Sequence, residues 1–172
     1  GFNDPRVFSN YGSILQDQGK LKDAELLLRK AIELNPDLAT AHSNLGNILK
    51  DLGNSKEAEI SLRKAIKLKP DHANAYCNLG GILIDDGKLK EAESSLRKAI
   101  ELKPDLAIAH SNLGNILSDL GNSKGAEFSY RKAIKLKPDF AIAHSNLGRI
   151  LSDRGDLKEA ELLLRKAIEL NP

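Results

Sequence analysis

The chain has 172 residues, is moderately apolar, rich in charge and poor in aromatics, and carries a formal net charge of +2. So small a charge, with no basic block, argues against non-specific binding to nucleic acid or membrane surfaces, and no apolar run approaches the length of a membrane span. The single cysteine, Cys77, excludes an internal disulfide and fits a reducing compartment, so a cytoplasmic location is expected. The chain opens Gly1-Phe2-Asn3-Asp4 with no methionine anywhere, which reads as a piece of a longer protein.

Taken from the N-terminus, the sequence repeats itself every 34 residues. The copies fall at about 5–38, 39–72, 73–106, 107–140 and 141–172, one uninterrupted array over residues 1–172 with no linker. Gly12, Gly46, Gly80, Gly114 and Gly148 keep this step, as do Ala24, Ala58, Ala92, Ala126 and Ala160, and Pro36, Pro70, Pro104, Pro138 and Pro172. The second and fourth copies resemble each other most, sharing Gly-Asn-Ser-Lys at the turn and Lys-Ala-Ile-Lys-Leu-Lys-Pro-Asp at the end, which points to duplication in units of two.

Each copy predicts two helices. In the second, Ala41, Leu45, Ile48, Leu49 and Leu52 fall at helical spacing over about 39–52. Gly53 then ends the helix in the left-handed conformation. The next helix covers about 55–69, with Ala58, Leu62, Ala65 and Ile66 as its buried stripe and Pro70 after it. Asn54, Asn122 and Asp156 are expected to cap second helices, with Lys20 and Lys88 as poorer caps, and Asp71 to cap the following first helix. Gly46 and Ala58 let the two helices approach closely, and Ala65 does the same towards the next copy. A lone hairpin cannot bury these faces, so neighbours must stack.

The pattern Leu45-Gly46, Leu49, Ala58, Leu62, Ala65, Pro70 resembles the tetratricopeptide repeat family over nearly the whole chain. The resemblance implies an all-α fold, a right-handed α-solenoid of five antiparallel helical hairpins. Two slots depart from the family pattern. The early tryptophan slot holds Phe8, His42, Tyr76, His110 and His144, and the tyrosine slot holds Leu15, Leu49, Leu83, Leu117 and Leu151, which implies slightly looser packing.

Catalytic chemistry finds no convergent residues. His42, His110 and His144 occupy one slot in different copies, so they are spread along the array, whereas a metal needs ligands around one point. Packing is the expected role of these histidines. Cys77 has no histidine placed to activate it, and no glycine-rich phosphate loop is present. Asp85 and Asp86 are adjacent at a helix end and point in different directions. No catalytic residue, metal or cofactor is therefore expected. On the second helices Glu25/Arg29, Glu59/Arg63, Glu93/Arg97, Glu127/Arg131 and Glu161/Arg165 pair four apart, as expected of a solvated outer face.

The informative stripe lies on the first helices. Thr40, Asn44, Asn47 and Asp51 share one face by their steps of four, three and four, and in the family this face lines the concave groove. Across copies it becomes a row of amides, Asn10, Asn44, Asn78, Asn112 and Asn146, beside a row of acids, Asp17, Asp51, Asp85, Asp119 and Asp153. Asn47 and Asn115 stand between the rows, Gly81 leaves a gap and Arg149 adds a cation. An amide both donates and accepts, so a row of them can pair with the main chain of an extended peptide. The row resembles the superhelical arm of the protein O-linked N-acetylglucosamine transferases, where such asparagines hold substrate peptides. The competing reading is that they bridge adjacent helices or face water, yet asparagine is a poor helix former and Glu or Lys would serve a plain wet face better.

Family members that clamp an acidic tail use lysines where this chain has Ser9, Ser43, Cys77, Ser111 and Ser145. The expected role is a non-enzymatic protein–protein interaction scaffold that takes an extended, neutral or basic peptide. The alternatives are a substrate-gripping arm of a larger multidomain enzyme such as a glycosyltransferase, or a self-associating module. Weak head-to-tail association is expected through Leu164, Ala167, Ile168 and Leu170 at one end and Val7, Phe8 and Tyr11 at the other. No nucleic-acid or membrane partner is expected.

Overall fold

The computed structural model describes residues 3–171; Pro172, the fifth proline of the ladder, lies outside them. Helices alternate with short turns throughout, and no strand occurs among the described residues. The chain divides into two compact units, Gly1–Gly87 and Lys88–Pro172. The first holds α1 (Pro5–Asp17), α2 (Leu21–Leu34), α3 (Ala39–Asp51), α4 (Ser55–Leu68) and α5 (Ala73–Asp85). The second holds α6 (Leu89–Leu102), α7 (Ala107–Asp119), α8 (Ser123–Leu136), α9 (Ala141–Arg154) and α10 (Leu157–Leu170).

In the first unit α1 and α2 form one hairpin and α3 and α4 the next. The first helices α1, α3 and α5 touch in succession, while α2 packs on α3 and α4 on α5. In the second unit α6 packs on the α7/α8 hairpin, and α8 packs on the α9/α10 hairpin. The small residues set these distances. Ala24, Ala58, Ala126 and Ala160 are buried, and so are Ala31, Ala65 and Ala133 at the next junctions. A Cβ built on Gly46 would stand 2.6 Å from Leu62 Cγ, so this helix pair closes only because position 46 has no side chain. Leu28, Leu49, Leu62, Leu96 and Leu151 are fully buried, each stabilising the fold by roughly 1.5–3 kcal/mol. The turn glycine Gly53 adopts φ +80, the left-handed geometry that ends a helix.

The caps differ from expectation. Asn54 and Asp156 make no side-chain cap bond, whereas the Asn122 carbonyl accepts from Gly125 N at 3.0 Å. A Cβ at position 125 would stand 2.9 Å from Asn122 Nδ2, and a glycine removes it. Three residues after Asn54 and Asp156 stand Glu57 and Glu159, which place an acid in the first turn, where it complements the positive end of the helix dipole. Asp71 is also not a cap: α5 starts from His72, and α3, α7 and α9 start from Leu38, Leu106 and Phe140, all without a side-chain cap bond. Asp71 contributes only its backbone carbonyl, which accepts from Ala73 N.

Candidate functional site

Every residue singled out for recognition stands on a first helix. Asn10 and Asp17 lie on α1, Asn44, Asn47 and Asp51 on α3, and Asn78 and Asp85 on α5. Asn112, Asn115 and Asp119 lie on α7, and Asn146, Arg149 and Asp153 on α9. The acids and Asn10 are exposed, while the other asparagines are half-buried.

The half-burial has a cause. Asn44 Nδ2 donates to Ser13 Oγ at 2.9 Å, joining α3 to α1. Ser13 Oγ in turn donates to the Ser9 carbonyl at 3.2 Å. In the second unit Asn146 Nδ2 donates to Asn115 Oδ1 at 2.9 Å, and the Tyr130 hydroxyl donates to the same oxygen at 2.7 Å. Burial pushes that phenol up to about 12, so it stays a donor. Both amide bonds reach back 31 residues, as does Arg149 Nη2 to Ser118 Oγ at 3.1 Å. Part of the amide row thus ties neighbouring first helices together. Asn78 and Asn112 make no side-chain hydrogen bond among the described residues.

The acid row is partly neutralised. Gln16 Nε2 donates to Asp51 at 3.0 Å. Lys50 lies 3.8 Å from Asp85, and Arg149 lies 3.8 Å from Asp153. The sequence pattern did not show these partners, because they come from the adjacent turn or the adjacent helix.

The histidines have a packing role that a repeat slot alone did not specify. Nε2 of His42, His110 and His144 lies 2.8, 3.0 and 2.9 Å from the carbonyls of Pro36, Pro104 and Pro138. A carbonyl only accepts, so each ring is protonated on Nε2. Each histidine pins the start of its helix to the proline six residues earlier, a spacing that is visible in the sequence once the bond is known. Burial pushes the Cys77 thiol up to about 11, with Lys50 pulling weakly against it. No cluster of His, Cys, Asp and Glu suited to a metal occurs among the described residues, nor a helix long and apolar enough to cross a membrane.

On the second helices the five Glu–Arg pairs form as expected. Arg29 and Arg131 are among those that reach further. Arg29 Nη2 meets Glu57 at 2.6 Å and Arg131 Nη1 meets Glu159 at 2.7 Å, each 28 residues on, so the pair becomes a clasp between hairpins. Hydrogen bonding to Glu159 raises the Arg131 guanidinium further above its ordinary range.

Comparison with known proteins agrees with this architecture. A tetratricopeptide repeat model matches residues 37–105 and 71–139, a TPR repeat model matches 12–53, and a further tetratricopeptide repeat model matches 111–172. No match was found among curated proteins. Among solved structures the chain is similar to MamA, at 28% identity over 92% of this chain and 93% of that one, with a TM-score of 0.77. It is similar in fold to PilF of Pseudomonas aeruginosa, at 22% identity over 98% of this chain and 77% of that one, with a TM-score of 0.90. It is also similar to YrrB, a TPR protein with an unusual peptide-binding site, at 26% identity over 96% of this chain and 85% of that one, with a TM-score of 0.72. With the hairpin stack, the small-residue contacts and repeat models that together span most of its length, the chain belongs to the tetratricopeptide repeat family.

Proposed function

We propose that the chain is a non-catalytic interaction scaffold whose first-helix face holds an extended, neutral or basic peptide. The observation that carries this reading is the half-buried amide row with hydrogen-bonding capacity left over. Asn44 and Asn146 each commit one N–H to a neighbouring helix and keep Oδ1, while Asn78 and Asn112 commit neither group. Held amides lose little freedom on meeting a ligand, which favours binding. Exposed Asp17, Asp51, Asp85, Asp119 and Asp153 beside them favour basic side chains. The similarity to YrrB, a TPR protein with a peptide-binding site, supports the same reading.

The test is selection of short peptides from a randomised library on immobilised protein, followed by titration of the enriched sequences. Neutral or basic sequences should be enriched, and the affinity of the basic ones should fall with added salt, since exposed charges are screened over roughly 8 Å at physiological ionic strength. The double variant Asn78→Ala/Asn112→Ala should weaken binding by roughly 5- to 150-fold with an unchanged melting temperature, because each lost hydrogen bond is worth about 0.5–1.5 kcal/mol. Enrichment of acidic peptides whose binding the double variant abolishes, or full binding of the neutral and basic peptides by the double variant, would refute the proposal.

A further inference from the structure

The arginine clasp is missing from one junction inside the second unit. Arg97 on α6 occupies the slot of Arg29 and Arg131, but 28 residues on stands Gly125 where they meet Glu57 and Glu159. Among the described residues its only carboxylate is Glu93, one turn earlier on the same helix, at 2.8 Å. The arginine is accordingly more open, with 59% of its side chain exposed against 45% for Arg29 and 44% for Arg131.

The missing side chain leaves a cleft of about 450 Å³ between α6, α7 and α8. Arg97 stands on one wall, Gly125 and Phe128 on the other, and Ile100, Leu113 and Leu117 supply apolar surface. Leu117 is 7% exposed, whereas its counterparts Leu49 and Leu151 are fully buried, so the cleft reaches the core layer. Glu101 also lines it, but its charge is matched by Lys98 at 2.7 Å. Phe128 is 72% exposed, and the apolar row continues to Leu162, 69% exposed, in the same slot of α10.

We infer that this cleft is a second binding site, on the second-helix side of the hairpins, for a protein segment that pairs an acidic side chain with a neighbouring apolar one. The ligand carboxylate takes the place of the absent glutamate against Arg97, and the apolar side chain lies against Ile100, Leu117 and Phe128. The chain shows the geometry of the charged contact twice, at Arg29–Glu57 and Arg131–Glu159. An arginine–carboxylate contact beside an apolar wall is worth more than one in open water. The row from Phe128 to Leu162 suits a peptide rather than a small acid. The site is separate from the amide row and stands or falls without it.

The experiment follows the backbone amides and the Arg97 Nε–H of labelled protein by nuclear magnetic resonance during titration with acetyl-Leu-Glu-Leu-amide. The same titration is run with acetyl-Leu-Gln-Leu-amide and with sodium butyrate. Saturable shifts at Arg97, Gly125 and Phe128 are expected with the glutamate peptide, with binding roughly tenfold weaker for the glutamine peptide because the charge-assisted bond is lost. Gly125→Glu should abolish the response by supplying the carboxylate from within, and it should fold, since Glu57 and Glu159 occupy that slot elsewhere. The exposed substitution Arg97→Gln should abolish it as well, independently of position 125. Absence of shifts at these residues, equal binding of the glutamine peptide, survival of the response in either variant, or an equal response to butyrate would each overturn the inference.

Discussion

Adding one methyl group to the glycines under the hairpins should have unequal effects at two copies of one slot. At Gly12 an added Cβ meets Leu28 Cγ at 3.0 Å, a contact that a shift of a few tenths of an ångström relieves. At Gly114 it meets three atoms of the Tyr130 ring at 2.6, 2.8 and 2.9 Å. That ring is fully buried, and its hydroxyl is held by Asn115 at 2.7 Å. Alanine in place of glycine gains about 1 kcal/mol within a helix. Overpacking costs about 1–3 kcal/mol, and displacing the ring also forfeits a hydrogen bond of about 1 kcal/mol. Gly12→Ala should therefore lie within about 1 kcal/mol of the parent, while Gly114→Ala should lose about 1–3 kcal/mol. In a chain of this size the loss lowers the melting temperature by about 2–4 °C per kcal/mol. Thermal and urea unfolding followed by circular dichroism reads both. A Gly114→Ala variant as stable as the parent, or a Gly12→Ala variant that loses as much, would refute the packing argument.

Three further outcomes are expected. Cys77, pushed up to about 11 by burial, should react with a disulfide reagent at pH 8 far more slowly in native protein than in urea; equal rates would contradict its burial. Burial pushes the Glu127 carboxyl up, but hydrogen bonds from Arg131 and Arg154 outweigh this, and Arg131 also lowers Glu159; both folded values lie below the ordinary 4.5. Their contribution is thus present above pH 4.5 and lost as the pH falls through the folded values, so Glu127→Gln should flatten the loss of urea resistance on acidification, and an unchanged profile would refute it. We also propose weak head-to-tail association: Ile142, Leu164 and Ile168 are exposed around a hollow of about 480 Å³. Light scattering should show concentration-dependent growth that Ile168→Lys removes, and a strict monomer at millimolar concentration would sink the idea.

The hairpins were legible because their signals are local. Gly46 facing Leu62, the alanine at every helix crossing and the left-handed Gly53 each follow from spacing within one copy. Contacts between copies were not legible in the same way. Asn44 reaching Ser13 and Arg29 reaching Glu57 depend on how one helix lies beside another, which residue type alone does not fix. The caps failed for a related reason. Asn54 and Asn122 occupy one slot, yet only Asn122, followed three residues on by Gly125 and not a glutamate, turns its amide back, and a rule that scores the cap residue alone omits its surroundings. The amide row was read for its regularity, but its members differ in how much hydrogen-bonding capacity they keep.

That difference gives the proposed peptide a register. Asn115 uses Oδ1 twice, for Asn146 and for Tyr130, so what it has left is two N–H groups. Asn146 has spent an N–H on that same oxygen and retains an unengaged Oδ1. The two rungs therefore offer unlike groups, one seeking a carbonyl and the other able to take an amide hydrogen. A main chain in one register presents its C=O to Asn115 and its N–H to Asn146, and a slip by one group sets carbonyl against carbonyl. Recognition that ignores side chains then still fixes where the main chain's C=O and N–H groups lie, because Tyr130, a core residue, has fixed the polarity of the rung in front of it.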